Sequence, residues 1–170
     1  GNLIHNRKGL LKTDIDTNAV IKVKPAYYTV QNIVSLFDST IELAPELECT
    51  IAPVDSPTTP DEKETVTWYG HRKKSTGQAF IVYWNGHRVP GDSNDCKRTV
   101  IELANSTISD PVLVDLVTGR VYEIPEDSKA LNGDTWKFTN MPVYDGPMVV
   151  IDRGLLQYET WPPNTKAIGK

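Results

Sequence analysis

Val112-Leu113-Val114-Asp115-Leu116-Val117-Thr118-Gly119-Arg120-Val121-Tyr122-Glu123-Ile124 is the clearest hairpin in this chain of 170 residues. Two runs rich in β-branched and apolar residues flank Thr118-Gly119. The pair reads as a two-residue turn, with glycine available for positive φ. The same pattern recurs upstream: Thr65-Val66-Thr67-Trp68-Tyr69-Gly70-His71, a turn at Lys74-Ser75-Thr76-Gly77, then Ala79-Phe80-Ile81-Val82-Tyr83-Trp84. That last run is apolar at every position, which places it centrally in a sheet covered on both sides. Arg98 to Ala104 alternates as a strand, and Trp136-Lys137-Phe138 and Met148-Val149-Val150-Ile151 complete the set. Strands about ten residues apart with turns between them predict an antiparallel sandwich.

The N-terminal part reads differently. Lys8-Gly9-Leu10-Leu11-Lys12 and Val20-Ile21-Lys22-Val23 are short extended pieces. From Pro25 to Phe37 the chain predicts a helix, because proline is tolerated at a first helical residue. Ala26, Tyr27, Val30, Ile33, Val34 and Phe37 recur at helical spacing as one apolar stripe. Strands follow within Ser39 to Leu47 and Glu48 to Val54, then turn-rich stretches at Asp55 to Lys63 and Val89 to Asp95. The expected fold is mainly β: an antiparallel β-sandwich with one N-terminal α-helix packed on it. It divides into residues 1–38, carrying the helix, 39–155, the sandwich, and 156–170, a tail.

Eighteen basic against twenty-two acidic residues give a net charge of −4, and no basic run exceeds Arg72-Lys73-Lys74. No nucleic-acid partner is expected from that balance. No apolar stretch approaches the roughly 18 residues of a membrane span. The first residues lack an apolar leader, and Gly1 in place of Met is the expectation for a processed or trimmed product. Cys49 and Cys96 are expected as thiols rather than a disulfide.

The search for chemistry is mostly negative. Asp14-Ile15-Asp16-Thr17-Asn18 opens like a calcium loop, but Ala19 stands where glycine belongs and Pro25 where a bidentate glutamate belongs. Asp92-Ser93-Asn94-Asp95 reads as a solvated turn. His5, His71 and His87 form no ligand-spaced cluster. Nucleophile-elbow and phosphate-loop motifs are missing. Asp115, Glu123 and Asp145 offer carboxylates for glycoside hydrolysis in principle, yet Asp115 and Asp145 sit beside turns, where aspartate serves the backbone. No catalytic residue, metal ligand or cofactor is expected. Trp68, Tyr69, Tyr83, Trp84 and Trp136 are expected as packing residues. Tyr158 and Trp161, outside the sheet, are the candidates for stacking on a sugar.

Two segments also carry a resemblance. Arg7 to Lys12 followed by Lys24-Pro25-Ala26-Tyr27-Tyr28-Thr29-Val30-Gln31-Asn32 resembles the end of a (β/α)₈-barrel glycoside hydrolase, where such a stretch forms the final barrel helix. Pro111 to Tyr122 is similar to a hairpin of the β-sandwich that follows such barrels, and Pro142 to Ile151 to its last strand. The resemblance implies a non-catalytic accessory domain that supports a catalytic barrel elsewhere in the parent chain. It transfers no catalytic residue, because the barrel strands that bear the carboxylates are not in this sequence. Tyr28 and Leu36, off the main stripe, would then form a second face that the barrel buries. The implied parent is secreted or periplasmic, and its substrate a carbohydrate. A carbohydrate-binding module and a free-standing interaction domain are the alternatives.

Overall fold

A computed structural model describes residues 9–14, 16–54, 66–86 and 96–156. Twelve strands are assigned among them: β1 Leu11–Thr13, β2 Val20–Val23, β3 Ile41–Leu43, β4 Glu48–Pro53, β5 Val66–Lys73 and β6 Ala79–Asn85. The rest are β7 Lys97–Ala104, β8 Pro111–Asp115, β9 Arg120–Glu123, β10 Lys129–Asn132, β11 Thr135–Val143 and β12 Met148–Asp152. One α-helix, α1, spans Pro25–Leu36, and short 3-10 turns cover Glu126–Ser128 and Arg153–Leu155.

All pairings are antiparallel. A six-stranded sheet runs β3-β5-β6-β12-β8-β9 and a four-stranded sheet β10-β11-β7-β4, with β1 and β2 forming a separate hairpin. The sandwich core lies between the two larger sheets. Ile81, Tyr83, Leu113, Met148 and Val150 from one sheet meet Ile101, Leu103, Trp136, Phe138 and Met141 from the other.

The other face of the six-stranded sheet is also covered. Phe80, Val82, Val112, Val114, Val149 and Ile151 alternate with the core residues and form a second cluster, against which Ile33, Leu36 and Phe37 of the helix segment pack. Side chains alternate across a strand, so a sheet held between a helix and a second sheet must be apolar at every position. That is why β6, β8 and β12 read as continuous hydrophobic runs. The fold is the expected sandwich with one helix, arranged as helix, six strands and four strands.

Three local departures have physical causes. The Thr118-Gly119 turn is longer than two residues: Leu116 to Gly119 connect the strands, and the Gly119 N–H donates to Asp115 O at 2.7 Å with Gly119 at φ +73. The Asp115 carboxylate organises this loop by accepting from the Val117 and Thr118 N–H groups and the Thr118 hydroxyl. Strand β10 has no β-branched residue to announce it. It forms because Gly133, at φ +66, turns it back onto Thr135–Phe138. The Asn132-Gly133 dipeptide was the available signal. Lastly, Tyr69 is not core: it is 52% exposed and stacks on Trp84 at 5.8 Å.

Candidate functional site

The helix meets the sheet with one flank only. Thr29, Asn32, Ile33, Leu36 and Phe37 recur at the three- and four-residue spacing of a single helical face. The Thr29 hydroxyl donates to Val117 O at 3.2 Å and the Asn32 amide to Leu116 O at 3.1 Å. A Cβ on Gly119 would stand 2.9 Å from the Asn32 amide atoms. The helix is thus latched onto the β8–β9 loop at its middle. At its end Phe37 lies against His71 at 4.9 Å and Phe80 at 5.8 Å.

That docking divides the apolar stripe expected from the sequence. Ile33 and Phe37 go inward with Leu36, whereas Val30 is 42% and Val34 61% exposed. The cause is polar: Thr29 and Asn32 must face the loop carbonyls, which turns the helix away from the Tyr27–Val30–Val34 line. Tyr27 and Tyr28 are exposed as well, their rings edge to face at 5.7 Å.

The β1–β2 hairpin carries exposed apolar residues of its own. Leu11, Val20 and Ile21 are all exposed, the last two at 55% and 57%. Asp14 caps the hairpin turn, accepting from the Asp16 and Thr17 N–H groups and the Thr17 hydroxyl. These bonds, those from Thr17 foremost, hold its carboxyl below the usual range. The calcium-like spacing therefore serves a turn. Lys24 N–H donates to Leu10 O, joining hairpin to helix. Among the described residues between Leu11 and Val34, seven large apolar side chains face solvent. A run of this kind marks an interaction surface more than a solvated one.

A second feature is an open groove of about 850 Å³ at the β9 edge of the sandwich. Tyr122 and Tyr144 stand in it, above buried Leu113, Met141 and Met148. A hydrogen bond with the Cys96 thiol, and then burial, push the Tyr144 phenol up. Asp115, Glu123 and Asp145 all border this groove, which the sequence reading did not foresee. Asp115 is engaged by its own loop, and Glu123 pairs with Arg153, whose hydrogen bond holds the carboxyl below its ordinary value.

The remaining titratable groups have structural places. Asp152 is 4% exposed; burial would raise its pKa, but bonds from Ser109, Asp110 and Gly154 prevail and hold it low. Burial beneath the helix end depresses His71. Cys49 and Cys96 are free thiols, and burial pushes Cys49 up to about 12. Cys49 pairs with Leu103 on β7, seven residues along the strand from Cys96. At about 3.4 Å per residue this is far beyond disulfide reach.

Among the described residues no group of three His, Cys, Asp or Glu side chains is placed to hold a metal ion. Among the described residues no helix is long and apolar enough to cross a membrane. The stacking candidates Tyr158 and Trp161, with His5, His87 and the Asp92 to Asp95 turn, lie outside the described residues. Compared with known proteins, the chain matches no family model, no curated protein and no solved structure.

Proposed function

We propose that this chain is the non-catalytic β-sandwich domain of a barrel glycoside hydrolase, and that its helix and β1–β2 hairpin form the seam with the catalytic barrel. The observation carrying this reading is the apolar line Tyr27, Val30 and Val34 on a helix whose other flank is already docked. An amphipathic helix has one buried flank; one with apolar side chains on two flanks packs between two bodies. The sandwich supplies the first body. The helix motif and the hairpin that resemble glycosidase segments meet at Asn32 and Gly119, so the seam and the sandwich are built as one piece.

The domain's work is mechanical: it covers the last barrel helix and holds the barrel closed. Its carboxylates bind loops and arginines, which suits a support and not a hydrolase. The test is an assay of two products. This chain should hydrolyse no aryl glycoside. A product extended through the coding sequence before Gly1 should do so, and lose activity when two upstream carboxylates are changed to amides. Hydrolysis by this chain alone, or an upstream sequence that encodes no barrel, would overturn the proposal.

A further inference from the structure

We propose that the open groove at the β9 edge is a docking site for an extended basic segment of a partner protein, whose arginine side chain enters the groove while its backbone follows β9. Docking here is independent of whether a barrel covers the helix.

The groove opens where the sandwich stops short of its outermost strand. Tyr122 on β9 lies directly across from Leu113 on β8, so both side chains leave the same face of the sheet. Leu113 is 6% exposed and Tyr122 41%, because the four-stranded sheet covers the first and not the second. On the opposite wall β10 pairs only with Thr135 to Phe138, and Asn140 to Pro142 of β11 border the space beyond it. Its volume of about 850 Å³ lies within the roughly 300–1,000 Å³ of ligand sites. Leu113, Met141 and Met148 form the floor and belong to the sandwich core, so the groove is shaped before any ligand arrives.

The charge of the rim selects the occupant. Asp115 accepts from the Val117 and Thr118 N–H groups and the Thr118 hydroxyl, and Asp127 accepts from the Ser128 hydroxyl. These donors are neutral, and a bond from a neutral donor leaves a carboxylate its charge. Glu123 shares the Arg153 guanidinium with Asp110, so that trio is negative too. Asp145 also borders the groove. Against these stand Arg98 on the rim and Arg120, across the sheet from Asp115. Acid remains in excess, which favours a cation and repels an anion.

Two further features favour an arginine-bearing peptide over a bare cation. Tyr122 and Tyr144 both line the space, and a guanidinium stacks on a phenol face while its paired N–H groups grip a carboxylate. In addition, β9 pairs with β8 along one edge and with no described strand along the other. An unpaired edge of this kind is where an extended peptide adds itself to a sheet. The β11 wall offers less main chain, because the Met141 and Pro142 carbonyls already accept from the Thr99 hydroxyl and the Tyr83 phenol, each at 3.1 Å. The ligand's backbone therefore belongs on β9 and its basic side chain over the tyrosines.

Calorimetry on the purified chain tests this with a short capped peptide that alternates arginine with threonine, which sets its arginines on one face of a strand. The controls are the same peptide with glutamine or glutamate in place of arginine, and spermine. The arginine peptide should bind saturably, and added salt should weaken it. Tyr122→Ala should weaken binding about tenfold and Asp127→Asn about threefold, with melting temperatures unchanged. In the unsubstituted chain, the bound peptide should shield Tyr122 from hydroxyl-radical labelling. Absence of arginine-peptide binding at millimolar concentration would overturn the proposal. So would equal binding of spermine or of either control peptide, or peptide binding that leaves Tyr122 labelling unchanged.

Discussion

At Gly119 two demands fall on one residue. Its φ of +73 excludes most side chains, and the Asn32 amide occupies the space a Cβ would need. Gly77 shares the first demand, at φ +70, but has open space around it. Gly77→Ala should therefore cost about 1 kcal/mol for the backbone alone. Gly119→Ala should cost about 2 kcal/mol, because the Asn32 hydrogen bond is displaced as well. Urea unfolding of the two variants reads the difference, and equal costs would mean that the Asn32 latch contributes nothing. The cysteines give a second residue-level expectation. Thiol reagents at neutral pH should label exposed Cys96 in the folded chain and reach Cys49 only on unfolding, since the thiolate is the reactive form and burial suppresses it.

Acid stability is also set by single residues. His71 and Asp152 both have depressed pKa values, so the unfolded chain binds the extra protons. Their contribution is complete above the unfolded pKa and declines as pH falls through the folded one. Stability should therefore drop first below about pH 6.5, from His71, and again below about pH 4, from Asp152. His71→Phe should remove the first decline, as seen in melting temperatures followed against pH.

At the scale of elements, the helix has one flank that holds and one that waits. Phe37→Ala, which removes the ring lying on His71 and Phe80, should cost about 2–3 kcal/mol and release the helix amides to rapid exchange. Val34→Ser, on the exposed flank, should change stability by less than about 0.5 kcal/mol while lowering hydrophobic-dye binding. The helix, its start at Pro25 and its end near Phe37 are legible in the sequence from periodicity and proline. The face that docks was not. Thr29 and Asn32 carry no apolar signal, and it is their bonds to the β8–β9 loop that decide the rotation. The same limit applies to Tyr69, whose β propensity is plain but whose exposure depends on where the helix lies.

Across the whole molecule, the sandwich was legible because β6, β8 and β12 are apolar at every position but the last, the pattern of a doubly covered sheet. The groove was not, since it arises from unequal sheet widths and a bulge, and Asp115, Tyr122 and Asp145 are brought together only by folding. The central claim concerns the apolar line on the helix, which this chain leaves facing water. Hydroxyl-radical footprinting of Tyr27 and Tyr28 tests it most directly, in this chain alone and in the full-length gene product. Both tyrosines should label readily in the isolated chain and be protected in the longer product; equal labelling in the two would contradict a seam at this face.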